Sequence, residues 1–158
     1  MHLVDIWRRT VAWLARPHGD VLSFEREVEG AGVRGRADAG MATIPAAKIV
    51  GSVGRAAALR SDFFYKSGKV TGRFVRIGQA MQRGVALPPI EVYKARLPRR
   101  RSGREAAVTE YYVVDGHHRV AMARKLGQDY LDAHIVEYKV AGPPPAPPGP
   151  VRPPGPGA

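Results

Sequence analysis

The 158-residue chain contains no cysteine. This absence excludes disulfide bonds, thiolate metal sites and cysteine nucleophiles. The chain also lacks any apolar run near the roughly 20 residues that a membrane-spanning helix needs. Its N-terminus carries Asp5, Arg8 and Arg9 where a signal peptide would have an uninterrupted apolar stretch. We therefore expect a cytoplasmic protein without a membrane span.

Acidic residues are scarce, since 14 Asp and Glu face 25 Lys and Arg and give a formal net charge of +11. The excess is uneven along the chain. Residues 41–93 carry +6 and residues 94–105 a further +5, whereas residues 1–40 are neutral overall. A positive field of this kind attracts anions such as nucleotides and nucleic acids. A solubilising surface would explain the same charge.

Composition divides the chain into four parts. Residues 1–15 place apolar side chains at helical spacing and predict an amphipathic helix. Residues 16–41 are rich in Gly, Ala and charge and predict a linker or a weakly ordered hairpin. Residues 42–141 predict one domain. In residues 142–158, Pro and Gly account for 13 of 17 positions, which predicts a disordered tail. Such a tail also suits a module that docks a protein partner in polyproline form, but the partner is not indicated.

The elements of the predicted domain follow from periodicity and turn residues. A helix is predicted around residues 74–81, with Gly84 ending it, and a second from His117 to Leu126, with Gly127 after it. Strands are predicted at residues 90–93, 111–114 and 130–138. Residues 94–110 are predicted to form a long hairpin loop.

The most informative segment is residues 113–121. A β-branched pair predicts the end of a buried strand, Asp115-Gly116 predicts a turn, and a helix follows. A strand that turns directly into a helix presents free N–H groups and the positive end of the helix dipole. Gly116 leaves room for a ligand at the backbone, and Arg119 offers a planar fork for phosphate oxygens. The spacing predicts a phosphate cradle, although any glycine turn between strand and helix shares part of the pattern.

Three segments carry a family resemblance. Residues 116–119 resemble the G-x-x-R signature of the ParB N-terminal/sulfiredoxin-like superfamily. The Ser-Val-Gly-Arg turn at residues 52–55 and the stretch G-V-A-L-P-P-I-E-V-Y at residues 84–93 resemble the first turn and a later strand of such domains. The resemblance covers about residues 42–138. It implies an α/β (α+β) fold in which helices pack on a small mixed sheet, and a turn that binds a nucleoside triphosphate with Mg²⁺.

The resemblance also implies a set of site residues. The cradle would comprise Gly116, His117, His118 and Arg119, assisted from the other side by Ser52, Gly54 and Arg55. In a free-serine kinase of this superfamily, the pattern D-G-H-x-R surrounds the reacting phosphate. Asp115 is therefore the candidate for holding Mg²⁺ or for acid–base work, with a plain turn residue as the alternative. Binding alone, phosphoryl transfer to a small molecule and hydrolysis all stay open, as do the base and the acceptor.

The sequence differs from those of the superfamily at positions that exclude some of the superfamily's functions. Sulfiredoxin activity is excluded because the chain has no cysteine. Partition proteins carry Glu-Arg-Arg where this chain has His117-His118-Arg119, and they continue into a helix-turn-helix. Here a proline-rich segment follows soon after Tyr138. We therefore expect a stand-alone member that does not bind an operator sequence.

The alternative function is non-catalytic nucleic-acid binding. Five arginines of the predicted hairpin loop would grip phosphates, namely Arg96, Arg99, Arg100, Arg101 and Arg104. A protein of this kind would lose affinity steeply as salt is added. No structural zinc site is predicted, because the neighbouring His117 and His118 point in different directions and the other histidines lack ligand spacing.

Overall fold

The computed structural model describes residues 20–68 and 71–141. The predicted N-terminal helix and the proline-rich tail lie outside the described residues. Six strands and two α-helices are described, with a short π-helix at Glu25–Glu29. The strands are β1 (Leu22–Ser23), β2 (Val33–Pro45), β3 (Ile49–Ser52), β4 (Ile90–Arg101), β5 (Arg104–Asp115) and β6 (Tyr130–Val140), and the helices are α1 (Gly72–Gln82) and α2 (His117–Leu126).

The strands form one mixed sheet in the order β1-β3-β5-β4-β6-β2. Neighbours run parallel in β1–β3, β3–β5 and β4–β6, and antiparallel in β4–β5 and β2–β6. The fold is thus mixed α/β, with few helices on a small mixed sheet, and the predicted fold class is confirmed. Across the described residues, no helix has the length and apolar character to cross a bilayer.

Apolar side chains are buried on both faces of the sheet. On one face, α2 contributes Val120 and Ala123 to a cluster with Ile90 and Val113 from the sheet. On the other face, the π-helix segment places Phe24 among three tyrosines, with ring centroids 5.0–5.6 Å away from Tyr93, Tyr112 and Tyr138. The sheet is therefore stabilised from both sides by apolar burial.

Two local predictions about the helices are confirmed. Helix α2 spans His117–Leu126 as expected, and Gly127 follows it with φ 70 in the left-handed conformation that glycine favours. Helix α1 begins after Thr71, whose hydroxyl accepts a hydrogen bond from the Phe74 N–H, and Gly84 beyond its end has φ 67. Both helices end where the sequence carries a glycine.

Residues 16–41 were predicted to form a linker or a weakly ordered hairpin. From residue 20 onward, they form regular secondary structure instead. Residues 20–32 contain β1 and the π-helix, and residues 33–45 form the long strand β2. Strand β2 pairs with β6, from Val33 opposite Val140 to Pro45 opposite Tyr130. Its Gly, Ala and charged residues give no strand signal of their own. Pairing with a strand almost 100 residues away orders them.

The predicted loop at residues 94–110 is also wrong, because β4 and β5 continue through it as paired strands. Ala95 and Leu97 are buried in the cluster around Phe24. Arg99 on the same side donates hydrogen bonds to both carboxylate oxygens of Glu110 (2.8 and 2.7 Å) and to Glu27 (2.8 Å). The run Arg99-Arg100-Arg101 made this segment look like an exposed loop in the sequence. In the structure, Arg99 instead follows the buried Ala95 and Leu97 on the same side of the strand, because it forms ion pairs with Glu110 and Glu27.

We predict that Arg99→Met lowers the free energy of unfolding by about 2–4 kcal/mol, because it leaves the buried Glu110 carboxylate without its counter-ion. Urea denaturation measures the change. Arg100→Met is the matched control, since Arg100 is exposed, and it should change stability by less than about 0.5 kcal/mol. Equal effects of the two substitutions would contradict the assigned roles.

Gly116 offers a second test, because its backbone has φ 109 and an added Cβ would lie 2.5 Å from Cγ2 of Ile90. Gly116→Ala should therefore lower the free energy of unfolding by about 2–4 kcal/mol, through left-handed strain and overpacking together. Gly84→Ala is the control for strain alone, since Gly84 has φ 67 with nothing within 4 Å of its added Cβ. The fit to Ile90 is refuted if Gly116→Ala costs no more than Gly84→Ala.

Candidate functional site

The carboxyl ends of β3 and β5 meet at one edge of the sheet. The two strands run parallel with Ser52 opposite Val113, and the Val53 N–H donates to the Val113 carbonyl at 2.9 Å. The turn that leads to Arg55 follows β3 directly, and α2 follows β5 after Gly116. Ligands of open α/β sheets commonly bind outside the carboxyl ends of such strands.

A buried hydrogen bond joins the two segments. The Ser52 Oγ and the His117 Nε2 are 2.7 Å apart, Ser52 is fully buried, and His117 is 4% exposed. Ser52 was expected to offer its hydroxyl to a ligand, and one of His117 and His118 to bind a phosphate or ribose while the other packs against the sheet. The structure brings Ser52 and His117 together, but with each other and beneath the surface, so that they hold the β3 turn against the start of α2.

His117 is neutral at physiological pH. Burial lowers the pKa of its imidazole from 6.5 to about 4, with a further lowering by the Arg55 charge. The unfolded chain binds this proton at a higher pH than the folded chain does. Acidification from pH 6.5 toward 4 therefore removes stability, and His117 contributes fully only above that range.

His118 lies on the outer side of the same turn, between two aromatic rings. Its ring is perpendicular to those of Tyr65 and Phe74, at centroid distances of 5.4 and 5.6 Å. Burial, and then the charges of Arg73 and Arg55, lower the pKa of His118. Arg55 in turn donates to the Tyr65 hydroxyl at 2.8 Å, which fixes its guanidinium beside the helix start.

The first turn of α2 has free backbone donors. Its first intrahelical bond runs from the Val120 N–H to the Gly116 carbonyl at 3.1 Å, so the N–H groups of residues 117–119 have no acceptor within the helix. No side chain caps the helix, and its first turn contains no acidic residue. The acidic residue that acts on this turn is Asp115, just before Gly116, whose charge raises the pKa of His117 and so opposes the effect of burial.

Arg119 belongs to this first turn and is half-buried. Burial lowers its pKa, and its Nε is buried without a hydrogen-bond partner among the described residues. No carboxylate of residues 20–68 or 71–141 lies within ion-pair distance of it. The nearby charge of Asp132 on β6 acts on the guanidinium in the opposite direction to burial and raises its pKa, without forming an ion pair.

Asp115 and Gly54 complete the predicted set. Asp115 is exposed at the end of β5 and is paired in register with Glu91 on β4. Gly54 has φ 73, which allows the turn that leads to Arg55. Within the described segments, no three His, Cys, Asp or Glu side chains are grouped closely enough to hold a metal ion on their own.

The arginines of the β4–β5 hairpin lie elsewhere. Arg96, Arg100 and Arg104 are exposed, Arg99 is engaged by its two glutamates, and the Arg101 side chain lies outside what the structure describes. Strand β5 spans about 36 Å from the hairpin turn to Asp115, at about 3.3 Å per residue. The hairpin tip and the start of α2 are therefore separate basic regions at opposite ends of one strand.

Sequence reasoning missed the aromatic pair around His118 and a cleft farther along α2. The cleft has a volume of about 450 Å³ and is lined by Arg60, Asp62, Phe64, Ala121, Arg124 and Lys125. Arg124 is occupied structurally, since its guanidinium lies 4.7 Å from the Phe63 ring centroid and donates to the Ile49 carbonyl. The aromatic run at residues 63–65 was the only signal for either feature.

Neither a protein-family model nor a curated protein matches the chain. Among solved structures, the sulfiredoxin of Arabidopsis thaliana is similar, with a TM-score of 0.40 and 16% sequence identity. The match covers 63% of this chain and 86% of that one. A likeness of this extent says nothing about the activity, ligand or partner of this chain.

Proposed function

We propose that the protein binds the phosphates of a nucleoside triphosphate at the start of α2, together with Mg²⁺. The observation that carries the proposal is the uncapped first turn of α2, which has three free N–H groups and no acidic residue. Phosphate suits such a helix start, because its oxygens accept several hydrogen bonds from the N–H groups and its negative charge is attracted by the positive end of the helix dipole.

Two guanidinium groups reinforce this preference. Arg55 is held beside the turn by Tyr65 and is near enough to both histidines to lower their pKa values. Arg119 has no described carboxylate partner. A charge-assisted bond from either group to a phosphate oxygen would be short and strong. In this proposal, Ser52 and His117 position the cradle, while the backbone and the arginines bind the ligand.

The exposed carboxylate of Asp115 suits a magnesium ion. Mg²⁺ is usually held by one or two protein carboxylates, with substrate phosphates and water filling the other positions. One exposed acid beside the cradle meets the lower limit of that requirement. Asp115, adjacent to the cradle, is also the group that would accept a proton from an attacking hydroxyl or water, giving phosphoryl transfer or hydrolysis.

Nucleic-acid binding by the β4–β5 hairpin is the second candidate function. Strand β4 pairs with β6 only as far as Ala95, and β5 pairs with β3 only from Tyr111 onward. Among the described residues, the rest of the hairpin is therefore a two-stranded arm, with Arg96, Arg100 and Arg104 exposed on it. Two-stranded ribbons of this width fit the major groove of duplex DNA.

For the cradle, we predict that Arg55→Ala and Arg119→Ala each weaken binding of Mg²⁺-nucleotide about tenfold, because each removes a charge-assisted contact. Isothermal titration with ATP, CTP, GTP and inorganic triphosphate measures the effect and shows whether the base contributes. Arg100→Ala is the matched control and should bind as the unmodified protein does. Unchanged affinity in both folded cradle variants would reject the proposed site.

For the hairpin, replacing Arg96, Arg100 and Arg104 by Ser should weaken binding of duplex DNA and flatten its salt dependence. Each phosphate contact that is lost removes a slope of about 0.9. Fluorescence anisotropy at several salt concentrations measures both quantities, with Arg55→Ala as the control that retains DNA binding. Arg99 is left intact because the fold needs it. If the triple variant binds DNA with the original salt slope, the arm is not the interface.

A further inference from the structure

Strand β2 forms one edge of the sheet and is 13 residues long. It pairs with β6 along its whole length, so its alternate backbone N–H and C=O groups point away from the sheet. No other described strand covers that side. A long open edge of this kind is able to pair with a further strand.

The side chains of β2 are arranged symmetrically about Ala37. Arg36 and Asp38 flank it and carry opposite charges. Val33 and Met41 stand four residues away on either side, and both are exposed, at 42% and 58%. Read in either direction from Ala37, the strand thus presents a charge and then an apolar side chain.

The strand has one irregularity on each side of Ala37, at different distances from it. Strand β2 shifts register against β6 between Val33 and Gly35, and again between Asp38 and Gly40. Arg36, Asp38, Val33 and Met41 are paired with Tyr138, Val136, Val140 and His134, which alternate along β6. All four β2 side chains therefore lie on one face of the sheet.

We propose that two copies of the protein associate through β2, paired antiparallel about a two-fold axis at Ala37. In this arrangement Arg36 faces the partner's Asp38, and Val33 faces the partner's Met41, each pair occurring twice. The two sheets become one continuous sheet of twelve strands. The interface is isologous, as two-fold dimers require.

The charged groups are free to make these pairs. The Asp38 carboxylate uses only Oδ1 for its bonds to the Gly40 N–H (2.8 Å) and to His134 Nε2 (2.9 Å), which leaves Oδ2 for the partner's Arg36. Arg36 itself is exposed and makes a single 3.5 Å contact with the Tyr138 hydroxyl. A strand from an unrelated protein would need the same charge order, which the chain itself supplies.

The geometry also closes the assembly at two copies. The opposite edge of the sheet is β1, which has only two residues. So short an edge cannot pair with β2 of another copy over a useful length. The edge therefore favours a closed dimer over a growing ribbon of strands.

Analytical ultracentrifugation with charge variants tests the proposal. The unmodified chain should reach twice its 17.2 kDa mass as concentration rises. Arg36→Asp and Asp38→Arg should each raise the dissociation constant at least about tenfold, because each places two like-charge pairs opposite one another. The double variant Arg36→Asp/Asp38→Arg should restore association. A chain that stays monomeric, or a double variant no better than the single ones, overturns the proposal.

Disulfide trapping tests the register independently, since the chain has no cysteine of its own. Directly opposed residues of antiparallel strands have Cα atoms about 4.5–5.5 Å apart, within the range that a disulfide spans. Ala37→Cys should therefore cross-link to its own copy on mild oxidation. Ala42→Cys is the control on the same strand, because its two copies would lie about 33 Å apart. Equal cross-linking rates for the two variants would refute the two-fold at Ala37.

Discussion

The hydrogen bond between Ser52 and His117 is the interaction on which the candidate site depends. It joins the end of β3 to the first residue of α2 in the interior, where His117 is neutral and 4% exposed. A buried polar pair is stabilising only while both members remain, since loss of one leaves the other unsatisfied. This bond, with the fit of Gly116 against Ile90, sets the direction in which α2 leaves the sheet. The free N–H groups of the helix and the Arg55 turn consequently face the same region.

Charge is distributed over the fold in three different roles. At the start of α2, Arg55 and Arg119 add to the helix dipole and create a local preference for anions. At the far end of β5, the exposed arginines of the hairpin form a second positive region about 36 Å away, by the rise of the strand. Arg99, next in sequence to the exposed Arg100, is half-buried and balances Glu110 and Glu27. Net charge alone therefore does not distinguish a binding arginine from a structural one.

Features with a local signature were predictable from sequence. The bounds of α2 follow from Gly116, the helical spacing of its apolar residues and Gly127, and the structure confirms them. Features that depend on distant partners were not predictable. Strand β2 pairs with β6, which is far away in the sequence. The continuation of β4 depends on the bonds of Arg99 to Glu110 and Glu27. The Ser52 hydroxyl is bonded to His117, 65 residues farther along the chain. The family resemblance assigned Ser52 and His117 to one site, and the structure brings the two together, but nothing in the sequence showed that they bond to each other.

Backbone amide chemical shifts, recorded by NMR during titration with Mg²⁺ and inorganic triphosphate, test the central claim most directly. The probe contains phosphate alone, so it isolates the contribution of the cradle from that of a base. The account predicts that the amides of His117, His118 and Arg119 shift most, with smaller shifts near Arg55 and none in the β4–β5 hairpin. Shifts confined to the hairpin, with the first turn of α2 unchanged, would contradict it.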